Sequence, residues 1–103
     1  MFVHLVLIKL KPGVTRSDPR VATWQAVFNE LPKKVDGILR WETGWNPRER
    51  PHAYDFGLNS AFATREHLEA FGPHPAHEEM VVRMREIADW VICDYEVGEW
   101  ITD

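Results

Sequence analysis

"FVHLVLIKL", residues 2–10, is the stretch on which the fold turns. It is rich in β-branched and large apolar residues and is closed by "KPG", so it reads as a strand. Side chains along a strand alternate between its two faces. One face carries Val3, Leu5 and Leu7. The other carries Phe2, Val6 and Ile8, with His4 among them. Neither face suits water, and a strand of this kind is covered on both sides. Burying each such side chain is worth roughly 1.5–3 kcal/mol.

Further along the chain, "SDPRVATWQAVFNEL" (residues 17–31) predicts the first helix. Ser17 or Asp18 can cap it, and Pro19 suits its first turn. Val21, Trp24, Phe28 and Leu31 share one face at helical spacing, and Pro32 is expected to end or kink it. "GILRWETGW" (37–45) predicts a second strand, with Leu39, Trp41 and Thr43 alternating against Arg40 and Glu42. "AYDFGLNSAF" (53–62) predicts a third, with Tyr54, Phe56 and Leu58 on one face. "TREHLEAFG" is a short helix capped by Thr64, with Gly72 expected in the left-handed position at its end. "HPAHEEMVVRMREIADW" (74–90) predicts the last helix and "VICDYEVGEW" (91–100) the last strand.

The order β-α-β-β-α-α-β is the ferredoxin-like split βαβ pattern, an α+β fold with helices on one face of a four-stranded antiparallel sheet. The apolar first strand then requires something over the open face. A second copy is the economical cover, so the expectation is a C2 homodimer with two sheets face to face.

Composition is consistent with this. The chain has 103 residues, enough for one domain spanning 1–103. Its 45% apolar and 27% charged residues are globular proportions. A net charge of −4 argues against a nucleic-acid partner. No apolar run approaches the roughly 18 residues that cross a membrane, and no signal-peptide pattern opens the chain. Cys93 stands alone, so no internal disulfide is possible, and on a strand it reads as an inert core residue. The expectation is a cytoplasmic protein. Five tryptophans in so short a chain favour self-association.

The densest chemistry lies in "GPHPAHEEM", residues 72–80. His74 falls at the N-cap of the last helix and Pro75 at its first position. Glu78 and Glu79 meet the positive end of the helix dipole, and Glu79 stands four residues before Arg83. His77 is different, because with Val81, Met84 and Ala88 it falls on the inward face. It has three readings: a neutral core histidine, an acid or base in a pocket, or a metal ligand with His74 and Glu78 or His4. Asp55 and Asp94 lie mid-strand, solvated at an edge, paired with Arg40 or at the dimer contact. His52 and His67 fall on a loop and an exposed helix face. Phosphate-loop, GxSxG and HExxH signatures are absent from the sequence.

Taken together, "HLVLIKLKPGV", "YDFGLNSAF", "HPAH" and "CDYEV" resemble the stress-responsive dimeric α/β-barrel (Dabb) family over nearly the whole chain. "HPAH" is the most specific of these elements. The resemblance implies a ferredoxin-like homodimer with two sheets forming a barrel-like core. Within the family there is a distant similarity to olivetolic acid cyclase, which works without a cofactor in a pocket between sheet and helices. Carried over by position, His77 and His4 match two of its pocket histidines. Phe71 stands where that enzyme has a tyrosine, and Phe56 where it has a further histidine. The similarity thus implies an apolar pocket, bounded by Val6, Ile8, Trp24, Phe28, Phe56, Leu58 and Phe71, for a small hydrophobic or aromatic ligand. The alternative it implies is a cofactor-independent cyclase-like lyase or isomerase with His77 as general acid or base and His4 positioning the substrate. No metal or cofactor is expected.

Overall fold

Phe2–Leu10 forms β1 and lies inside the sheet, with a partner strand on each side. A computed structural model describes residues 1–98. After β1 come α1 (Pro19–Lys34), β2 (Ile38–Trp45), β3 (Phe56–Phe62), α2 (Arg65–Phe71), α3 (Pro75–Ile87) and β4 (Ala88–Glu96). The strands pair antiparallel in the order β2-β3-β1-β4. This is the ferredoxin-like fold, with all three helices on one face.

Local chemistry explains the element ends. Asp18 caps α1 by accepting from the Arg20 N–H at 2.9 Å, with Pro19 at the first position. Thr64 caps α2 through the His67 N–H. His74 caps α3, its Nδ1 accepting from the Ala76 N–H at 3.1 Å. The Glu79–Arg83 pair forms at 3.8 Å.

Four boundaries differ from the sequence expectation. Helix α1 runs through Pro32 to Lys34. Pro32 lacks the N–H that would reach the Phe28 carbonyl, yet the helix continues past it through its last turn, and the Val35 N–H still reaches the Leu31 carbonyl at 3.0 Å. Strand β3 begins at Phe56 rather than Ala53. Gly72 is right-handed (φ −55°, ψ −52°), because the chain turns directly into α3. The last helix stops at Ile87, and β4 begins at Ala88 with no loop between, so Trp90 belongs to the strand. The final residues of the expected last strand, Glu99 and Trp100, lie outside the described residues.

The core lies between the sheet and α1 and α3. Val6, Ile8, Phe56, Leu58 and Phe62 from the sheet meet Val21, Trp24, Phe28 and Leu31 from α1 and Met80, Met84 and Ile87 from α3. Leu39 is not part of it. A register shift between Ile38 and Arg40 makes Leu39 the extra residue of a bulge, 62% exposed, so the inward set is Ile38, Trp41 and Trp45.

The opposite sheet face carries Leu5, Leu7, Val91, Cys93 and Tyr95, because Leu5 pairs with Cys93 and Leu7 with Val91. Leu7, Val91 and Tyr95 are exposed. Cys93 is also exposed, contrary to the core position expected for it. It alternates with Ile92 and Asp94, which point to the helical side.

Candidate functional site

β1 and α3 supply the two imidazoles of the site. His4 lies on the helical side of β1 and is 7% exposed. Its neighbour across the ladder on the edge strand β4 is Asp94. The His4 Nδ1–H donates to Asp94 Oδ1 at 2.5 Å. A carboxylate only accepts, so Nδ1 carries the proton and Nε2 is left for other chemistry. On the other flank the buried Ser60 hydroxyl donates to the His4 carbonyl at 2.8 Å. Backbone and ring are thus both held. Asp94 does not pair with Arg40, whose guanidinium donates to Asn59 instead. Asp55 is also committed elsewhere, accepting from the Leu10 N–H at 2.8 Å.

His77 stands in the first turn of α3, half-buried. Its Nδ1–H donates to the Gly72 carbonyl at 2.9 Å, which fixes the tautomer and again leaves Nε2 free. Burial pushes its pKa below the ordinary imidazole value. The Gly72 carbonyl and Glu78 oppose that shift, while His4 and His74 reinforce it. At neutral pH the ring is therefore neutral, and Nε2 is an acceptor or base.

Phe71, at the end of α2, separates the two histidines. Its ring centroid lies 4.4 Å from that of His77 and 5.7 Å from that of His4. Beside these rings is a cavity of about 180 Å³. Six residues expected at the site line it: His4, Val6, Phe28, Leu58, Phe71 and His77. Ile8, Trp24 and Phe56 do not line it. They are packed into the neighbouring core, with Trp24 4.9 Å from Phe28 and 5.3 Å from Phe56 between centroids. That half of the helix–sheet interface is solid aromatic packing.

The remaining walls are Trp41, Met80, Val81, Met84, Trp90 and Ile92. The period of α3 places Val81 and Met84 on the face of His77, a signal that pointed to them. Trp90 carried no such signal while it read as the end of a helix. Ile92 lies on the edge strand and is 54% exposed, so the cavity runs toward the β4 edge. His52 is exposed on the β2–β3 loop. His67 is half-buried rather than on an open helix face, with its ring beside Gly37 and Nδ1 2.7 Å from the Thr64 hydroxyl. Among the described residues no three His, Cys, Asp or Glu side chains are grouped to hold a metal ion.

The Stress responsive A/B Barrel Domain family model matches residues 2–97. The chain belongs to this Dabb family. A relative from Streptomyces coelicolor, an uncharacterized protein, is 45% identical over 96 residues, covering 93% of this chain and 99% of that protein. Among solved structures, a dimeric ferredoxin-like protein of unknown function from Thermobifida fusca superposes with a TM-score of 0.79. It is 18% identical, over 93% of this chain and 90% of that one. A hydroxynitrile lyase from Passiflora edulis superposes with a TM-score of 0.81 at 15% identity, over 98% of this chain and 96% of that one. At such identities these two structures speak for the ferredoxin-like fold alone.

Proposed function

We propose that this Dabb protein is a homodimer that holds a small apolar or aromatic molecule in the cavity beside His4 and His77. The observation that carries the reading is the cavity itself, about 180 Å³, walled by apolar side chains with two imidazoles on its boundary. An apolar protein cavity of about 150 Å³ admits benzene, so this one suits a single ring with a small substituent and excludes a fused polycycle. The dimer rests on the open sheet face, where Leu7 is 40%, Val91 50% and Tyr95 44% exposed. A second sheet stacked there removes these side chains from water, and the Thermobifida fusca neighbour is described as dimeric. A lone cysteine thiol suits a reducing compartment, which makes the cytoplasm the proposed location.

Toluene titrated into 15N- and 13C-labelled protein tests the pocket. Saturable shifts confined to Ile92, Val81, Met84 and the His77 ring are expected, and Val81→Trp should abolish them. Shifts spread evenly over the surface, or none, would sink the reading.

A second reading has a specific observation in its favour. His77 is neutral with Nε2 free, and the carboxylate of Asp94 orients His4. An oriented imidazole beside a neutral one is an arrangement able to abstract and return a proton without a cofactor. If the protein turns over a substrate, His77→Ala should abolish turnover while the dimer persists. A His77→Ala protein of full activity would exclude His77 as the base.

A further inference from the structure

Gly44 and Gly57 face each other across β2 and β3 on the open side of the sheet, and Gly57 pairs in turn with Leu7 on β1. Glycine weakens a strand interior, so two side by side call for a physical reason. Backbone conformation does not supply one. The positive-φ glycines among the described residues are Gly13 and Gly37, and at Gly37 the His67 ring also fills the space a side chain would take. Crowding does not supply one either, because nothing lies within 4 Å of the place a Cβ would occupy at Gly44 or Gly57. Within its own chain each position accepts a side chain. Glycine at such a place in a strand marks the close approach of another body.

The two glycines floor a depression of about 450 Å³ in the open face, walled by Leu5, Leu7, Tyr54 and Asn59. The charge of the face selects what fills it. The four strands place Lys9, Arg40, Glu42 and Asp89 on this side, two cations and two carboxylates, which cancel although the chain as a whole carries −4. A strongly charged partner finds no complement there. A two-fold axis can lay such a face on itself without net repulsion. Val91 and Tyr95 stand on the far edge of the same face, both on β4, 50% and 44% exposed. They are large apolar side chains that project where β2 and β3 are hollow.

We propose that Gly44 and Gly57 form a socket for β4 of a second copy of this chain, filled by one of its exposed apolar side chains. An isologous dimer then carries the contact twice, each copy giving β4 and receiving it over β2 and β3. The inference rests on the homodimer reading and adds to it the place where the second copy seats.

Filling the socket tests it. Gly44→Val and Gly57→Val put a good strand former where the chain itself has room, so the folded protomer should survive. Each should nevertheless raise the dimer dissociation constant by about tenfold or more in a dilution series followed by light scattering. A wild-type measurement needs no variant. In dimers mixed from isotope-labelled and unlabelled copies, isotope-filtered NOEs should join the Hα protons of Gly44 to Val91 or Tyr95 of the partner subunit. Within one chain β2 and β4 lie three strand spacings apart, about 14 Å, too far for such a signal. A wild-type dimer that lacks these NOEs, and that both valine variants leave at full strength while Leu7→Glu breaks it, overturns the socket and leaves the homodimer standing. A wild-type protein that is monomeric at micromolar concentration overturns both.

Discussion

The ring of Phe71 lies 4.4 Å from the imidazole of His77, centroid to centroid, with 55° between the planes. Phe71 is thereby both core and site. It also touches the ring systems of Phe62 and Trp41, and it is 3% exposed. Truncation should be felt throughout this wall. Phe71→Ala is expected to destabilise the protein by about 3–5 kcal/mol in urea unfolding, the usual range for a buried phenylalanine. A loss under about 1 kcal/mol would mean that the wall collapses freely around the gap.

Asp94 acts on stability through His4. Asp94→Ala leaves the buried Nδ1–H of His4 without its acceptor, and an unsatisfied donor costs about 1–3 kcal/mol. The carboxylate is nearly half exposed on the edge strand, so water can partly replace it. The expected loss is therefore at the low end, about 1 kcal/mol, in denaturant unfolding at neutral pH. The His4 ring should also lose its fixed tautomer, visible in 15N spectra of the imidazole. An unchanged tautomer in Asp94→Ala would remove Asp94 from the role of orienting group.

His77 makes stability depend on pH. Its folded-state pKa lies below the ordinary imidazole value, so the unfolded chain binds more protons than the native one between the two. Stability from this group is complete above the unfolded pKa, near 6.5, and falls as pH drops from there toward the folded value. His77→Gln should flatten the fall in unfolding free energy as pH drops below about 6.5, relative to wild type. A variant with an identical slope would show that the imidazole is no more buried than in the unfolded chain.

Leu7 and Val91 are paired neighbours on the open sheet face. A charge at either would have to be buried between stacked sheets. Leu7→Glu should shift the protein from dimer to monomer in light scattering at micromolar concentration, while Val82→Glu, on the exposed outer side of α3, should leave the dimer intact. Dimers of equal strength in both variants would place the interface elsewhere.

Much of the fold was legible because period is a local property. The apolar alternation of β1, the 3.6-residue face of α1 and the caps at Asp18, Thr64 and His74 each follow from a few neighbouring residues. Most of the differences fell where a non-local partner decides. Leu39 reads as inward by alternation, but pairing with β3 takes up one extra residue there and turns it out. Trp90 reads as the last turn of a helix, but pairing of Ala88 with Leu10 starts β4 at once. Gly72 reads as a left-handed terminator, yet the following α3 leaves it right-handed.

The same division governs the site. His4, His77 and Phe71 could be singled out from spacing and resemblance. The His4–Asp94 bond spans ninety positions of chain and depends on β4 adding to β1 as an edge strand. The cavity depends on how far α3 stands from the sheet once Trp24, Phe28 and Phe56 have filled the other half of the interface. By itself the sequence determined the elements, their order and the faces that must leave water, because these follow from alternation and capping along the chain. Only the tertiary structure decided which imidazole nitrogens are left free and where the core stops being solid. Those are properties of packing, set by atoms that lie far apart in the chain and close together in space.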